Sequence, residues 1–172
     1  NGILFWLYEP LQRKRGSWLL AEVDRTSFID PLLRPGRYLV NLPDGPVFLD
    51  PGHGGNDAGA QGLGGTVEKH LALETCRMVR KHLLASGIAV RLTRVDDQFV
   101  ELKERCRIAK QGRGSLFISI HYNSASNRKA EGVETYILPQ GGLPSTAGNL
   151  GNISIGNQFD GANLLLAQAV HK

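Results

Sequence analysis

The chain predicts an α/β fold, a mainly parallel twisted sheet with helices on both faces, preceded by a small β-rich N-terminal segment. Three observations predict it. From Val47 onward, short apolar runs alternate with helix-length segments, the order that builds a parallel sheet covered by helices. The longest of these segments repeats Ala72, Cys76, Val79 and Leu83 at helical spacing, against a polar face of His70, Glu74, Arg77 and Lys81. The third is size: 172 residues, 41% apolar and 21% charged, suit one domain with a sizeable core and a short appendage.

Residues 1–46 read as the β-rich appendage, and no chemistry is assigned to them. Strands are expected over 3–8 and 17–23, joined across the basic turn Arg13-Lys14-Arg15-Gly16. A Pro- and Leu-containing stretch over 30–36 leads to a third strand over 37–41. Pro43-Asp44-Gly45-Pro46 marks a boundary, after which 47–172 form the second domain. There a strand over 47–50 enters a Gly-rich loop over 52–65, followed by a helix over 68–86 that Gly87 closes. A strand over 88–92 precedes a helix with Asp96 and Asp97 as N-cap candidates, ending near Gly112. Strands follow over 116–121 and 132–138. A Gly/Asn/Ser loop over 139–161 exceeds an ordinary connection, and a helix occupies 162–172.

Net charge is +4 and the pI about 9.3, a mild basic bias compatible with an anionic polymer and equally with ordinary solubility. With no long Lys/Arg stripe and no aromatic-basic interleaving, no nucleic-acid partner is expected. No apolar run approaches the roughly 18 residues of a membrane span, so no span is expected. The first eight residues lack an initiator Met and a basic stretch and do not read as a signal peptide. Cys76 and Cys106 fall on the apolar sides of two helices as small buried thiols, neither a metal ligand.

The chemistry concentrates in His53, Glu68 and His121. Glu68 lies four residues before Ala72, on the inward stripe at the first helical turn. A carboxylate there needs a positive partner, and hydrogen bonding at the helix N-terminus is the purely structural alternative. His53 and His121 each follow the carboxyl end of a strand, where open α/β sheets bind ligands. Alone, either histidine reads as a structural imidazole; together with an inward carboxylate they favour a metal, since two imidazoles and a carboxylate form many hydrolytic zinc sites. Gly52, Gly54 and Gly55 would let the backbone turn tightly near a substrate. A phosphate-binding loop is excluded by the absence of its Gly-Lys-Ser/Thr ending. His70 and His82 lie outside the inward stripe and His171 at the terminus.

These residues carry a resemblance. Asp50-Pro51-Gly52-His53-Gly54-Gly55 with Asp57 and Gly59, then Glu68-Lys69, are similar to the opening motifs of zinc-dependent N-acetylmuramoyl-L-alanine amidases of the amidase 3 type. Thr93-Arg94 with Asp96, Leu102 with Arg105, Ser119-Ile120-His121-Tyr122-Asn123 and Glu131-Gly132-Val133-Glu134-Thr135-Tyr136 resemble the segments that follow. The resemblance implies hydrolysis of the amide between N-acetylmuramic acid and L-alanine in peptidoglycan by a zinc-activated water. It implies Zn²⁺ on His53, Glu68 and His121, peptidoglycan as partner, and a periplasmic or extracellular location. Asp50 is a candidate partner for an imidazole N–H.

The resemblance also implies a further catalytic Glu in a strand after the last helix. Glu131 and Glu134 match a different segment, so that residue is expected beyond Lys172 and no catalytic residue is assigned. The chain is therefore expected to be C-terminally truncated and of little activity. Two rivals stand beside the amidase: a non-catalytic zinc-containing wall-binding or regulatory homologue, and a different zinc hydrolase such as a deacetylase. Oligomeric state is not readable.

Overall fold

The computed structural model describes residues 7–127, 129–138, 140–144 and 154–171. By contact density the chain forms two units, Pro43–Ala130, and Asn1–Leu42 together with Glu131–Lys172.

The Pro43–Ala130 unit holds a three-stranded parallel sheet. Strands β1 (Gln12–Lys14) and β2 (Ser17–Leu19) belong to the other unit, so this sheet consists of β3 (Val47–Pro51), β4 (Val90–Leu92) and β5 (Leu116–Ile120), in the order β4-β3-β5. The apolar run of β3 makes it the central strand, with Leu49 opposite Leu92 on one side and Ile118 on the other. The pleat sends Val47 and Leu49 to one face and Phe48 and Asp50 to the opposite one. On the first face Leu49, Cys76 and Val90 form a core against which Val47, Val79, Leu83, Leu92, Ile118 and Ile120 pack. Its cover is α3 (Glu68–Ala85), whose expected inward stripe is buried at Ala72 and Cys76. On the second face Phe48 lies against Gly112 and Gly114, just past α4 (Leu102–Gln111). Helices thus cover both faces, as the sequence predicts.

The other unit begins with β1 and β2, paired antiparallel across Arg15 and Gly16, both at positive φ. Helix α1 (Glu22–Asp24) runs through a π-helical turn at Arg25–Ile29 into α2 (Asp30–Leu33). Asp24 is buried and accepts the amides of Tyr8 and Glu9. Helix α5 (Asp160–His171) buries Leu164. A cavity of about 700 Å³ lies among Tyr8, Phe28, Tyr38, Tyr136, Leu164 and His171. None of the expected site residues lines it.

Several expected elements differ. The strand over 3–8 lies outside the described residues except for Leu7 and Tyr8, which are in no strand. The strand over 17–23 stops at Leu19, because the backbone turns into α1 at Glu22. Of the stretch over 30–36, Asp30–Leu33 are α-helical, and the backbone leaves the helix at Arg34, where φ is −133°. The strand over 37–41 is replaced by a 3₁₀ turn at Pro35–Arg37, with the Pro35 carbonyl accepting from Tyr38 at 2.9 Å. Residues 132–138 form no strand; alternation needs a partner ladder, and Val133 and Tyr136 are exposed instead. Asp96 and Asp97 do not cap α4, which starts at Leu102 after Glu101. Cys76 is buried as expected, but Cys106 is exposed. The loop over 139–161 falls partly outside the described residues, as does Lys172 of the final helix.

Candidate metal centre

The parallel register of β3 and β5 brings the two histidines together. Pro51 pairs with Ile120, and the Gly52 amide extends the ladder to the Ile120 carbonyl at 3.0 Å. His53 and His121 therefore emerge side by side where both strands end. Gly52 has a steric reason: a Cβ there would sit within 2.7 Å of both His121 ring nitrogens. His53 itself has φ +59°, a left-handed conformation that costs a residue bearing Cβ on the order of 1–2 kcal/mol.

Glu68 enters from the first turn of α3 and is 4% exposed. Its Oε1 lies 3.1 Å from His53 Nε2 and 3.1 Å from His121 Nδ1, and the two ring nitrogens are 3.2 Å apart. The rings meet edge to face, at 78°. The carboxylate does not cap its own helix. It accepts the Ala60 amide on Oε2 at 2.7 Å and the Tyr122 amide on Oε1 at 2.8 Å. Burial works to raise the Glu68 carboxyl, but these two amides and the imidazoles outweigh it and hold it below the ordinary carboxylate value.

His53 has a second anchor. Its Nδ1 meets Asp57 Oδ2 at 2.9 Å, and the imidazole holds the Asp57 carboxyl below its usual value. A proton on Nδ1 shared with Asp57 leaves the Nε2 lone pair facing Glu68. Gly59 permits this packing: at φ +68°, a Cβ would lie 2.5 Å from His53 Cδ2 and 2.8 Å from Glu68 Oε2.

The donor atoms of His53, Glu68 and His121 all fall within 4.8 Å of one another, and among the described residues this is the one set of three His, Cys, Asp or Glu side chains so placed. Lone-pair atoms converging from three elements form an arrangement that a divalent cation satisfies, and the nitrogen–oxygen donor set suits zinc. Tyr122, 42% exposed beside His121, shares a 2.7 Å hydroxyl hydrogen bond with Thr75 at the edge of the cluster.

The expected role of Asp50 is not what the structure gives. Asp50 is buried, and its carboxylate accepts from Thr93, Ser119 and Arg105. Asp57 is the carboxylate that meets an imidazole; its place four residues after His53, in a turn closed by the Gly54 and Asp57 backbones, is the sequence signal that could have marked it. Sequence reasoning also missed the side chains that hold the His53 loop. Lys69 donates to the Gly55 carbonyl at 2.8 Å and pairs with Asp97 at 2.7 Å, while Asp97 accepts the Gly55 amide at 2.8 Å. Arg94 and Arg105 reach the same loop from the other side, and both are buried. Arg105 falls four residues before Ala109 on the inward side of α4, and an arginine on such a stripe is a legible signal of a buried partner.

Residues 47–172 match the family described as N-acetylmuramoyl-L-alanine amidase, amidase 3. The chain is 44% identical over 99 residues to N-acetylmuramoyl-L-alanine amidase AmiA of Salmonella typhimurium, covering 58% of this chain and 34% of that one. It is 40% identical over 102 residues to the sporulation-specific N-acetylmuramoyl-L-alanine amidase of Bacillus subtilis, covering 58% of this chain and 38% of that one. It thus spans little more than a third of the length of these relatives. Among solved structures, N-acetylmuramoyl-L-alanine amidase AmiC2 of Nostoc punctiforme aligns at 46% identity and a TM-score of 0.47, covering 49% of this chain and 47% of that one.

Proposed function

The chain belongs to the amidase 3 family of N-acetylmuramoyl-L-alanine amidases, and from that membership we propose that it hydrolyses the amide between N-acetylmuramic acid and the L-alanine of a peptidoglycan stem peptide. The zinc ion of the reaction is held by His53, Glu68 and His121. One observation carries this reading: two imidazoles and a buried carboxylate converge where two parallel strands end. When bound there, zinc supplies Lewis acidity, lowering the pKa of water and polarising the scissile carbonyl.

The chain's own residues prepare the site. Glu68 stays ionised through the Ala60 and Tyr122 amides, so one negative charge stands among neutral donors. Asp57 keeps the His53 proton on Nδ1 and the ring fixed in orientation. Tyr122, its hydroxyl steadied by Thr75, offers an aromatic edge beside the cluster for an incoming glycopeptide. No acid/base residue is assigned within residues 1–172, and no role is assigned to residues 1–46. The substrate places the protein at the bacterial cell envelope.

Product analysis on muropeptides with the zinc-loaded chain tests the reading. Slow release of stem peptide with a free L-alanine amino group, lost in His53→Ala and His121→Ala, is the expected result. Released acetate would assign a deacetylase instead. Peptidoglycan binding with no product from the whole natural protein would assign a non-catalytic homologue.

A further inference from the structure

We propose that Arg94 and Arg105 are positioning residues of the metal centre: together they hold the backbone of Pro51, Gly52 and His53 in the left-handed turn that aims the His53 imidazole at Glu68 and His121. The inference rests on the reading that those three side chains hold a divalent cation.

Beyond Gly52 the chain leaves the ladder of β3, so its carbonyls need new donors. Arg94, just past β4, donates Nε to the Pro51 carbonyl at 3.0 Å and Nη2 to the Gly52 carbonyl at 2.7 Å. Arg105, from α4, donates Nη1 to the Pro51 carbonyl at 2.7 Å and Nη2 to the His53 carbonyl at 2.7 Å. Three successive carbonyls are thus gripped by two rigid guanidinium forks. The same Arg94 Nη2 also reaches the Lys69 carbonyl at 2.8 Å, which ties the His53 turn to the helical turn that carries Glu68. Arg105 is itself fixed by Asp50 at 2.9 Å and by the Val100 carbonyl at 2.8 Å.

Arg94 is 1% and Arg105 4% exposed, so their donors cannot exchange these carbonyls for water. No buried side-chain polar atom among the described residues lacks a partner. Neither guanidinium is among the ligand atoms, so each acts through the backbone. A lysine would keep the charge but donates from a single point and cannot span two carbonyls in the same fixed geometry. This separates positioning from charge alone.

The test uses cobalt as a spectroscopic substitute for zinc, titrated into the chain and into Arg94→Lys, Arg105→Lys and Asp50→Asn, each checked for a cooperative melt. A folded Arg94→Lys or Arg105→Lys protein is expected to bind cobalt about 10- to 100-fold more weakly, with a shifted visible spectrum. Asp50→Asn keeps the shape but removes the charge that fixes Arg105, and should show a smaller loss in the same direction. Folded lysine variants with the wild-type affinity and spectrum would overturn the inference. If neither lysine variant folds, Asp50→Asn decides, and an unaltered spectrum and affinity there overturns it. A wild-type chain that takes up no cobalt would overturn the metal reading itself, a separate outcome.

Discussion

A histidine at φ +59° is placed where most side chains resist going, and the residues around it are chosen to permit it. Gly59 shows how little room remains. Gly59→Ala is expected to lose at least about 1 kcal/mol of stability from its positive φ and to weaken zinc binding as well, because the new methyl would push on His53 and Glu68 together. Calorimetric titration of zinc alongside thermal melts checks both effects. Asp57 is half-exposed, so Asp57→Asn should leave the melt of the zinc-free protein almost unchanged while lowering zinc affinity about 10- to 100-fold. An equal loss in both measurements would contradict a purely orienting role. Glu68 makes a pH prediction. Its folded carboxyl lies below the ordinary 4.5, so its contribution to stability is complete above that value and is lost as the pH falls through the lower, folded value. Acid titration of the zinc-free protein should therefore show a steeper stability loss than Glu68→Gln, which has nothing to protonate there.

In the Pro43–Ala130 unit, β3, β5 and α3 each carry one residue of the cluster at or just past an end and part of the core along their length. Leu49, fully buried at the centre of β3, should cost about 2–5 kcal/mol as Leu49→Ala, measured by urea unfolding. The two cysteines should behave oppositely. Burial pushes the Cys76 thiol up to about 12, and Cys106 is exposed. Iodoacetamide should modify one thiol in the native protein and both after denaturation. Strands 47–51 and 116–120 and helix 68–85 were legible because an apolar run or a stripe states its own period. So was the convergence of His53, Glu68 and His121, since strand ends and an inward helical position are local facts. Arg94 and Arg105 were not legible as a pair, because the carbonyls of Pro51, Gly52 and His53 that they hold are 42 to 54 residues away. The 3₁₀ turn at Pro35–Arg37 was not legible because Pro35 presets a φ that the apolar run Tyr38-Leu39-Val40 does not reveal. The sequence offers Asp97 as a cap, yet Lys69 and the Gly55 amide claim it and hold its carboxyl at about 2.

For the molecule as a whole, a bound metal would be linked to the fold of one unit, since every proposed ligand lies within Pro43–Ala130. Zinc at a hundred times its dissociation constant should raise the unfolding free energy by about 2.7 kcal/mol, and a chelator should remove that gain; a melt indifferent to zinc would contradict the site. Among the described residues no helix is long and apolar enough to cross a membrane. The pairings at the cluster also span 53 and 68 residues of chain. An ion retained during unfolding would act as a rivet through points far apart in sequence, leaving the coil knotted into loops instead of free. Because closing a loop costs entropy that rises only slowly with its length, such a chain would begin refolding with two of its distant encounters already made. Zinc supply would then set how quickly the protein recovers from unfolding, as well as whether it can act.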